Sequence, residues 1–218
     1  MKKQHTGRPL TVFILMVLFA GFGMYGLAVE ADAPDEAIRA AQEGLSVFMN
    51  RQALPEDVPM TVTGNDSVLQ LKQGFQMHTV PPRRLLQCKE LHREVVPTGL
   101  WRFVVVKEGQ PVSLLTTAMV DGKWTAVSMG GAVLAKEIGK VMERWPAEKG
   151  YTYRFLRIFQ AKSDFVEISK NGKPVGMVPM TAARVALGIR GEFDPGAIMP
   201  AAEMMKDLRE SVSSGLTR

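Results

Sequence analysis

The stretch GLWRFVVVKEGQPVSLLTTAMVDGKWTAVSMGG, residues 99–131, decides the fold. Its runs of β-branched and aromatic residues are typical of strands, and the turn sequences KEGQ and DG separate them. Asp-Gly between two apolar runs indicates a two-residue hairpin, and a glycine pair ends the third run. The stretch therefore predicts a meander of three antiparallel strands. Because apolar residues occur on both faces of these strands, at least one face needs a cover.

Residues with helical spacing lie on both sides of this meander. Residues 132–145, AVLAKEIGKVMERW, carry an apolar stripe that ends at Pro146, and we expect this helix to cover the sheet. An earlier amphipathic helix is predicted from five apolar residues at helical spacing: Ala37, Ile38, Ala41, Leu45 and Phe48. Thr181 is expected to cap a brief helix through Leu187. A last helix, opened by Pro200, is expected to bury Met204, Met205, Leu208 and Val212.

Further strands are predicted before and after the meander. Residues 68–80 form a first extended region, and YTYRFLRIF, residues 151–159, forms a strand after the second helix. We expect this later strand to be buried on both faces, with Arg154 and Arg157 extending along its edge. Its aromatic residues share one face: Tyr151, Tyr153 and Phe155. Asn171-Gly172 is the strongest short hairpin signal in the chain.

The order of elements is helix, strands, helix, strands, helices. Antiparallel strands with helices grouped on one face indicate an α+β fold, with a curled antiparallel sheet of a meander plus a hairpin, rather than a βαβ nucleotide fold. We expect a leader at residues 1–28, an amphipathic helix and loop at residues 29–66, and a single α+β domain at residues 67–218.

The leader contains an apolar run at residues 10–27, 18 positions without a charge. As a helix this run spans roughly 27 Å, which predicts an N-terminal transmembrane or signal helix. Lys2, Lys3 and Arg8 precede it, so we expect the rest of the chain on the extracytoplasmic side. Two alternatives stay open: an uncleaved helix that anchors the protein in the cell envelope, and cleavage after Ala28 that releases it to the periplasm.

Charge argues against a nucleic-acid partner. The net charge of the 218 residues is +5, but three of the 27 basic residues precede the apolar run, whereas the first acid is Glu30. The remaining 24 basic and 22 acidic residues leave +2. A nucleic-acid interface needs a concentrated basic face, and so small an excess does not provide one.

Cys88, His92 and His78 are the residues best suited by their side chains to metal binding or nucleophilic chemistry. On one helix Cys88 and His92 would share a face, and His78 is near in sequence, which suggests a metal site or an activated thiol. No fourth ligand is evident, so we favour a half-buried thiol and surface histidines, with no metal and no cofactor. The tryptophans of the meander, Trp101 and Trp124, complete the candidate binding residues.

Motifs for catalysis are missing from the sequence. It has no Ser-His-Asp arrangement, nucleophile elbow, HExxH, CxxCH or phosphate loop. Acid pairs such as Glu36 with Glu43, or Glu56 with Asp57, are expected on solvated faces. Gly130-Gly131 is expected to form a tight turn between the third strand of the meander and the helix that covers it. We therefore expect a protein that is not an enzyme.

Two successive segments carry a family resemblance: QLKQGFQMHTV, and then residues 97–138, which run from PTGLW to GGAVLAKEI. In these segments the chain resembles small secreted bacterial domains of the cystatin-like or PepSY-like kind. The resemblance covers about residues 68–145. It implies a curled antiparallel sheet on a helix, of the type found in peptidase proregions and inhibitors, that works by binding. It carries no catalytic residue over to this chain.

These observations favour a non-enzymatic extracytoplasmic binding or accessory protein of the cell envelope. Its partner would be a protein or peptide that adds a strand to a sheet edge or fills the concave side of the sheet, and residues 10–27 would contact the membrane. The alternative is an envelope enzyme or small-ligand carrier with a pocket between helix and sheet that involves Cys88 and His92.

Overall fold

The computed structural model describes residues 32–52 and 69–216. Seven strands and five α-helices occur in these ranges. The helices are α1 (Asp35–Gln52), α2 (Pro82–Gln87), α3 (Ala132–Arg144), α4 (Thr181–Ala186) and α5 (Ala201–Leu216). The strands are β1 (Gln70–Thr79), β2 (Val96–Lys107), β3 (Gln110–Val120), β4 (Lys123–Gly130), β5 (Tyr151–Ile158), β6 (Ser163–Lys170) and β7 (Lys173–Pro179).

The described strands form one sheet in the order β4-β3-β2-β1-β5-β6-β7. Every neighbouring pair is antiparallel except β1 and β5, which run parallel and pair at Met77 with Phe155 and at His78 with Leu156. The fold is therefore α+β with a mostly antiparallel sheet, as predicted. The parallel pair joins the meander to the later strands, and the sequence did not predict it.

Three two-residue turns connect the hairpins. Asp121-Gly122 and Asn171-Gly172 both have positive φ at each position, with φ of 49° and 76° in the first and 50° and 74° in the second. This is the conformation that hairpin turns of the favoured type need, and Asn, Asp and Gly adopt it most readily. Glu108-Gly109 does the same, with φ of 51° and 77°. The predicted hairpins are thereby confirmed.

Helices cover both faces of the sheet, which corrects the expectation that they group on one face. Val104 and Leu114 pack in the cluster that contains the buried side of α3, whereas the next residues, Val105 and Leu115, pack in the cluster of α1. On the later strands, α5 and α2 lie on the same face as α1, since they pack against Leu156 and Phe165. Because side chains alternate along a strand, a sheet covered on both faces needs apolar residues at consecutive positions.

The predicted apolar faces of α1 and α5 are confirmed within the described residues, whereas Val133, expected on the inward face of α3, is 63% exposed. Ala37, Ala41 and Leu45 of α1 are buried, and Ile38 and Phe48 are half-buried beside them. All four expected apolar residues of α5 are buried: Met204, Met205, Leu208 and Val212. Thr181 is the first residue of α4 and not its cap, because the preceding position is Met180.

The predicted leader lies outside the described residues, as do Glu56 and Asp57. In the two described ranges, no helix combines the length and apolar character needed to span a bilayer.

Contact between α1 and β4 depends on a glycine. A Cβ atom at Gly44 would lie 2.1 Å from the Cβ of Ala126, so no side chain fits there without moving the helix. We expect Gly44→Ala to lower the free energy of unfolding by about 1–3 kcal/mol despite the better helix propensity of alanine. Urea unfolding of the full-length protein measures this, with Ser46→Ala on the exposed side of α1 as control. A Gly44→Ala protein as stable as the control would contradict the close contact.

Candidate functional site

A cavity of about 570 Å³ lies between α3 and the sheet and is the candidate functional site. Residues of β2, β3, β4, β5 and β6 contribute to its walls, and the starts of α3 and α4 close two of its sides. Its lining residues include Arg102, Leu114, Thr116, Ser128, Val133, Leu134, Glu137, Arg157, Asp164, Thr181 and Ala182. The cavity therefore combines apolar walls with a small number of charged and hydroxyl groups.

A row of paired residues across three strands contributes polar side chains to the cavity. Arg102 of β2 pairs with Thr116 of β3, and Thr116 pairs with Ser128 of β4. Paired residues on adjacent strands have side chains on the same face of a sheet. The row therefore leads from Arg102, near the centre of the sheet, to a hydroxyl on the outer strand β4.

Arg157 and Asp164 form an ion pair across β5 and β6. Nη1 of Arg157 donates to both carboxylate oxygens of Asp164, at 3.0 Å and 2.9 Å. Asp164 is only 4% exposed, and burial raises the pKa of its carboxyl group, while Arg157 and Arg102 act in the opposite direction and Glu137 adds to the rise. Both oxygens of this carboxylate are thus engaged by the protein.

Glu137 is a buried carboxylate of α3 that holds the start of α4. Its Oε2 accepts from the backbone N–H of Thr181 at 3.1 Å, and its Oε1 accepts from the Thr181 hydroxyl. An acidic side chain satisfies the free N–H groups of a helix start in the same way as a capping residue. Glu137 therefore fixes α4 relative to α3 across the cavity.

Arg102 has no comparable partner. Its Nε and Nη1 atoms are buried, and neither has a hydrogen-bond partner among the residues that the structure describes. Its guanidinium carbon lies 5.5 Å from the centre of the Phe155 ring, a cation–π contact that leaves the N–H groups unused. Burial lowers the pKa of Arg102 and Asp164 opposes this, although a guanidinium group stays charged at neutral pH.

Cys88 and His92 do not share a helix, so the condition for the metal site or activated thiol that was considered from the sequence is not met. α2 ends at Gln87, Cys88 is extended, and His92 lies in a separate 3₁₀ turn, Leu91–Arg93. The Cys88 thiol donates to the carbonyl oxygen of Leu85 at 3.6 Å, and Nε2 of His92 lies 3.6 Å from a carboxylate oxygen of Glu90. Because the helix ends before Cys88, the four-residue spacing does not place the two side chains on one helix face.

The other predicted site residues lie in the sheet. Nδ1 of His78 is 3.1 Å from the carbonyl oxygen of Gln76, and burial, followed by the positive charge of Arg154, lowers the pKa of His78. Trp101 is buried in the cluster under α1, and Trp124 packs at the side of the same cluster. None of the five predicted residues lines the cavity. Among the described residues, no group of three or more His, Cys, Asp or Glu side chains has the arrangement of a metal site.

The arginines of β5 were expected to extend along the strand edge, and this is wrong. Arg154 and Arg157 lie on opposite faces of the strand, and each pairs with a buried acid of β6. Nε of Arg154 donates to Glu167 at 2.7 Å, and its Nη2 donates to the carbonyl oxygen of His92 at 3.2 Å. Both faces of β5 are covered, so each arginine side chain is only 29% exposed and pairs with an acid that is almost fully buried.

Sequence reasoning missed the charged residues of the cavity, although two of them interrupt an apolar pattern. Glu137 lies at helical spacing from Leu134 and Val141, inside the buried stripe of α3. Arg102 immediately precedes the apolar run FVVV in a strand that is otherwise buried at its centre. A charged residue at a core position is a sign of a partner or of a ligand.

The capping role of Glu137 predicts a stability effect. We expect Glu137→Ala to lower the free energy of unfolding by about 0.5–2 kcal/mol, as for the loss of a helix cap. Glu143→Ala, on the exposed side of the same helix, should change it by less than about 0.5 kcal/mol. Thermal or urea unfolding compares the two variants, and equal effects would show that Glu137 does not hold α4.

Asp164 predicts a pH dependence. Because its pKa is raised in the folded protein, the folded state binds the proton more tightly than the unfolded chain, and this contribution to stability is lost as the pH rises through the raised pKa. The free energy of unfolding of the natural protein, minus that of Asp164→Asn, should fall from about pH 4 upward. Urea unfolding over a pH series measures it, with Asp207→Asn as the exposed control. A difference that rises with pH would show that the pKa of Asp164 is lowered, not raised, in the folded protein.

No family model, no curated protein and no solved structure matches this chain. The resemblance to cystatin-like or PepSY-like domains stays a prediction. The case for a function therefore depends on the cavity and on the groups that line it.

Proposed function

We propose that this chain is a non-enzymatic binding protein of the cell envelope that holds a small organic ligand in the cavity between α3 and the sheet. One observation carries the proposal: the cavity has apolar walls and a few polar groups that converge on it from separate elements. Its volume of about 570 Å³ lies within the range of roughly 300–1,000 Å³ that is typical of small-molecule sites.

The polar groups of the cavity are suited to recognition. Glu137 and Arg157 already bond to other parts of the protein, so they shape the cavity without needing to move. Leu114 of β3 and Leu134 of α3 provide apolar surface in the same cavity. Preorganised polar groups in an apolar site give orientation and specificity at low entropic cost.

The proposed location depends on the sequence of the leader. An uncharged run at residues 10–27, preceded by Lys2, Lys3 and Arg8, supports export of the described residues to the extracytoplasmic side. The N-terminal mass of the protein from cells distinguishes the two forms of this proposal, since a start at Val29 means cleavage and an intact leader means an anchor.

A second function, binding of a protein or peptide by strand addition, is supported by the edge of the sheet. Among the described strands, β4 has β3 as its one hydrogen-bonded neighbour, whereas the opposite edge, β7, has a bridge from Met177 to Met199. An edge without a neighbour can accept an extended segment. Slower hydrogen exchange of β4 amides in an envelope extract would favour this function over the first.

Ligand binding is tested with N-phenyl-1-naphthylamine, a neutral apolar dye whose fluorescence rises in an apolar site. We expect saturable binding to the full-length protein. Ala182→Phe, which fills the cavity wall at α4, should weaken it by roughly 10-fold or more. Val185→Phe is the matched control because Val185 is exposed on the same helix and does not line the cavity. Absence of binding, or equal effects of the two variants, would contradict a ligand in this cavity.

A further inference from the structure

We propose that the ligand is an amphipathic organic anion whose acidic group, a carboxylate, sulfonate or phosphate, binds the guanidinium group of Arg102. This inference rests on the proposed function and specifies the class of ligand. The neutral part of the ligand lies against the apolar wall formed by Leu114, Val133 and Leu134.

The charged groups that line the cavity differ in whether their polar atoms have partners in the protein. Both oxygens of Asp164 accept from Arg157, and both oxygens of Glu137 accept from Thr181. Arg157, Asp164 and Glu137 therefore have partners in the protein itself. Arg102 is the charged group of the described cavity lining whose buried donors are unused.

The buried N–H groups of Arg102 that lack an acceptor carry a free-energy cost. A buried guanidinium N–H group without an acceptor loses its bonds to water and gains none in return, and the loss is larger for a charged group than for a neutral one. Phe155 offers its ring to Arg102, but a ring face does not replace an oxygen acceptor in the plane of the guanidinium group. An acidic ligand supplies the oxygen atoms that the protein does not.

Two hydroxyl residues share the row of the sheet that contains Arg102. Thr116 and Ser128 both line the cavity, so their hydroxyl groups provide further donors for a ligand. Charge-assisted hydrogen bonds to carboxylate or phosphate oxygens are the stronger ones that proteins make. The row therefore has the composition of a site for an acidic group.

Apolar residues of α3 line another part of the cavity. Val133 lines it at the start of α3 and is 63% exposed, which places an apolar residue where the cavity meets solvent. Leu134, the next residue, also lines the cavity and packs against the core. A ligand with its acidic group at Arg102 would cover this apolar surface with its neutral part.

Two dyes with one aromatic skeleton test the inference. N-phenyl-1-naphthylamine is neutral, and 8-anilinonaphthalene-1-sulfonate is the same skeleton with an added sulfonate. We expect the full-length protein to bind the sulfonate dye more tightly than the neutral one. Arg102→Met should weaken binding of the sulfonate dye by roughly 10- to 100-fold, the range expected for a hydrogen-bonded charge, and change binding of the neutral dye by less than roughly 3-fold.

Two further variants serve as controls. Arg102→Lys keeps the positive charge but loses the planar guanidinium group, so an intermediate loss for the sulfonate dye is expected. Arg83→Met removes an exposed arginine of α2 and should leave both dyes unaffected. Thermal unfolding without dye verifies that each variant folds.

The outcomes separate this inference from the proposed function. If neither dye binds the natural protein, the proposed function fails and the inference fails with it. If both dyes bind with similar affinity, or if Arg102→Met weakens both by the same factor, the cavity is a ligand site but the acidic class is wrong. Tighter binding of the sulfonate dye that Arg102→Met selectively abolishes supports the inference. Because the comparison of two dyes on the natural protein needs no variant, a variant that fails to fold does not remove the test.

Discussion

The parallel pairing of β1 with β5 is the contact on which the rest of the structure depends. It joins an antiparallel meander to a group of three later strands, so that one sheet contains residues from both parts of the chain. Phe155 of β5 is thereby brought under Arg102 of β2, and Arg157 and Asp164 reach the same face. Both groups of strands are needed to form the cavity. Arg102, Thr116 and Ser128 come from the meander, and Arg157 and Asp164 come from the later strands.

Covering both faces of the sheet has a consequence for its charged residues. A strand that is open on one face can direct arginines into water, but β5 and β6 are covered on both. The chain instead places acids on β6 at the positions that pair with the arginines of β5, since Arg154 is in register with Glu167 and Arg157 with Asp164. Such pairs offset the cost of removing each charge from water, although they add little net stability. The pair of Arg157 with Asp164 also forms part of the cavity wall.

Local features of the fold follow from the sequence, and distant ones do not. Asp121-Gly122 and Asn171-Gly172 specify their turns through the backbone preferences of the residues themselves, and the apolar stripe of α5 follows from spacing alone. The parallel partner of β1, by contrast, is decided by packing between residues far apart in the chain, which no local pattern encodes. The cavity could not be predicted from local patterns for the same reason. Arg102 and Glu137 are visible as charges in apolar surroundings, but that they face one cavity depends on the strand order.

The same strand order bears on how the chain acquires its structure. β1 lies at the middle of the sheet, yet the whole meander and α3 separate it in sequence from β5. A long segment must therefore be closed into a loop before the two strands meet, and the entropy of that closure is lost before the contact returns any energy. Folds dominated by pairings of this kind have a high contact order and reach the native state more slowly than helical proteins of similar size. The cavity is complete only after this closure, because residues of both groups of strands line it.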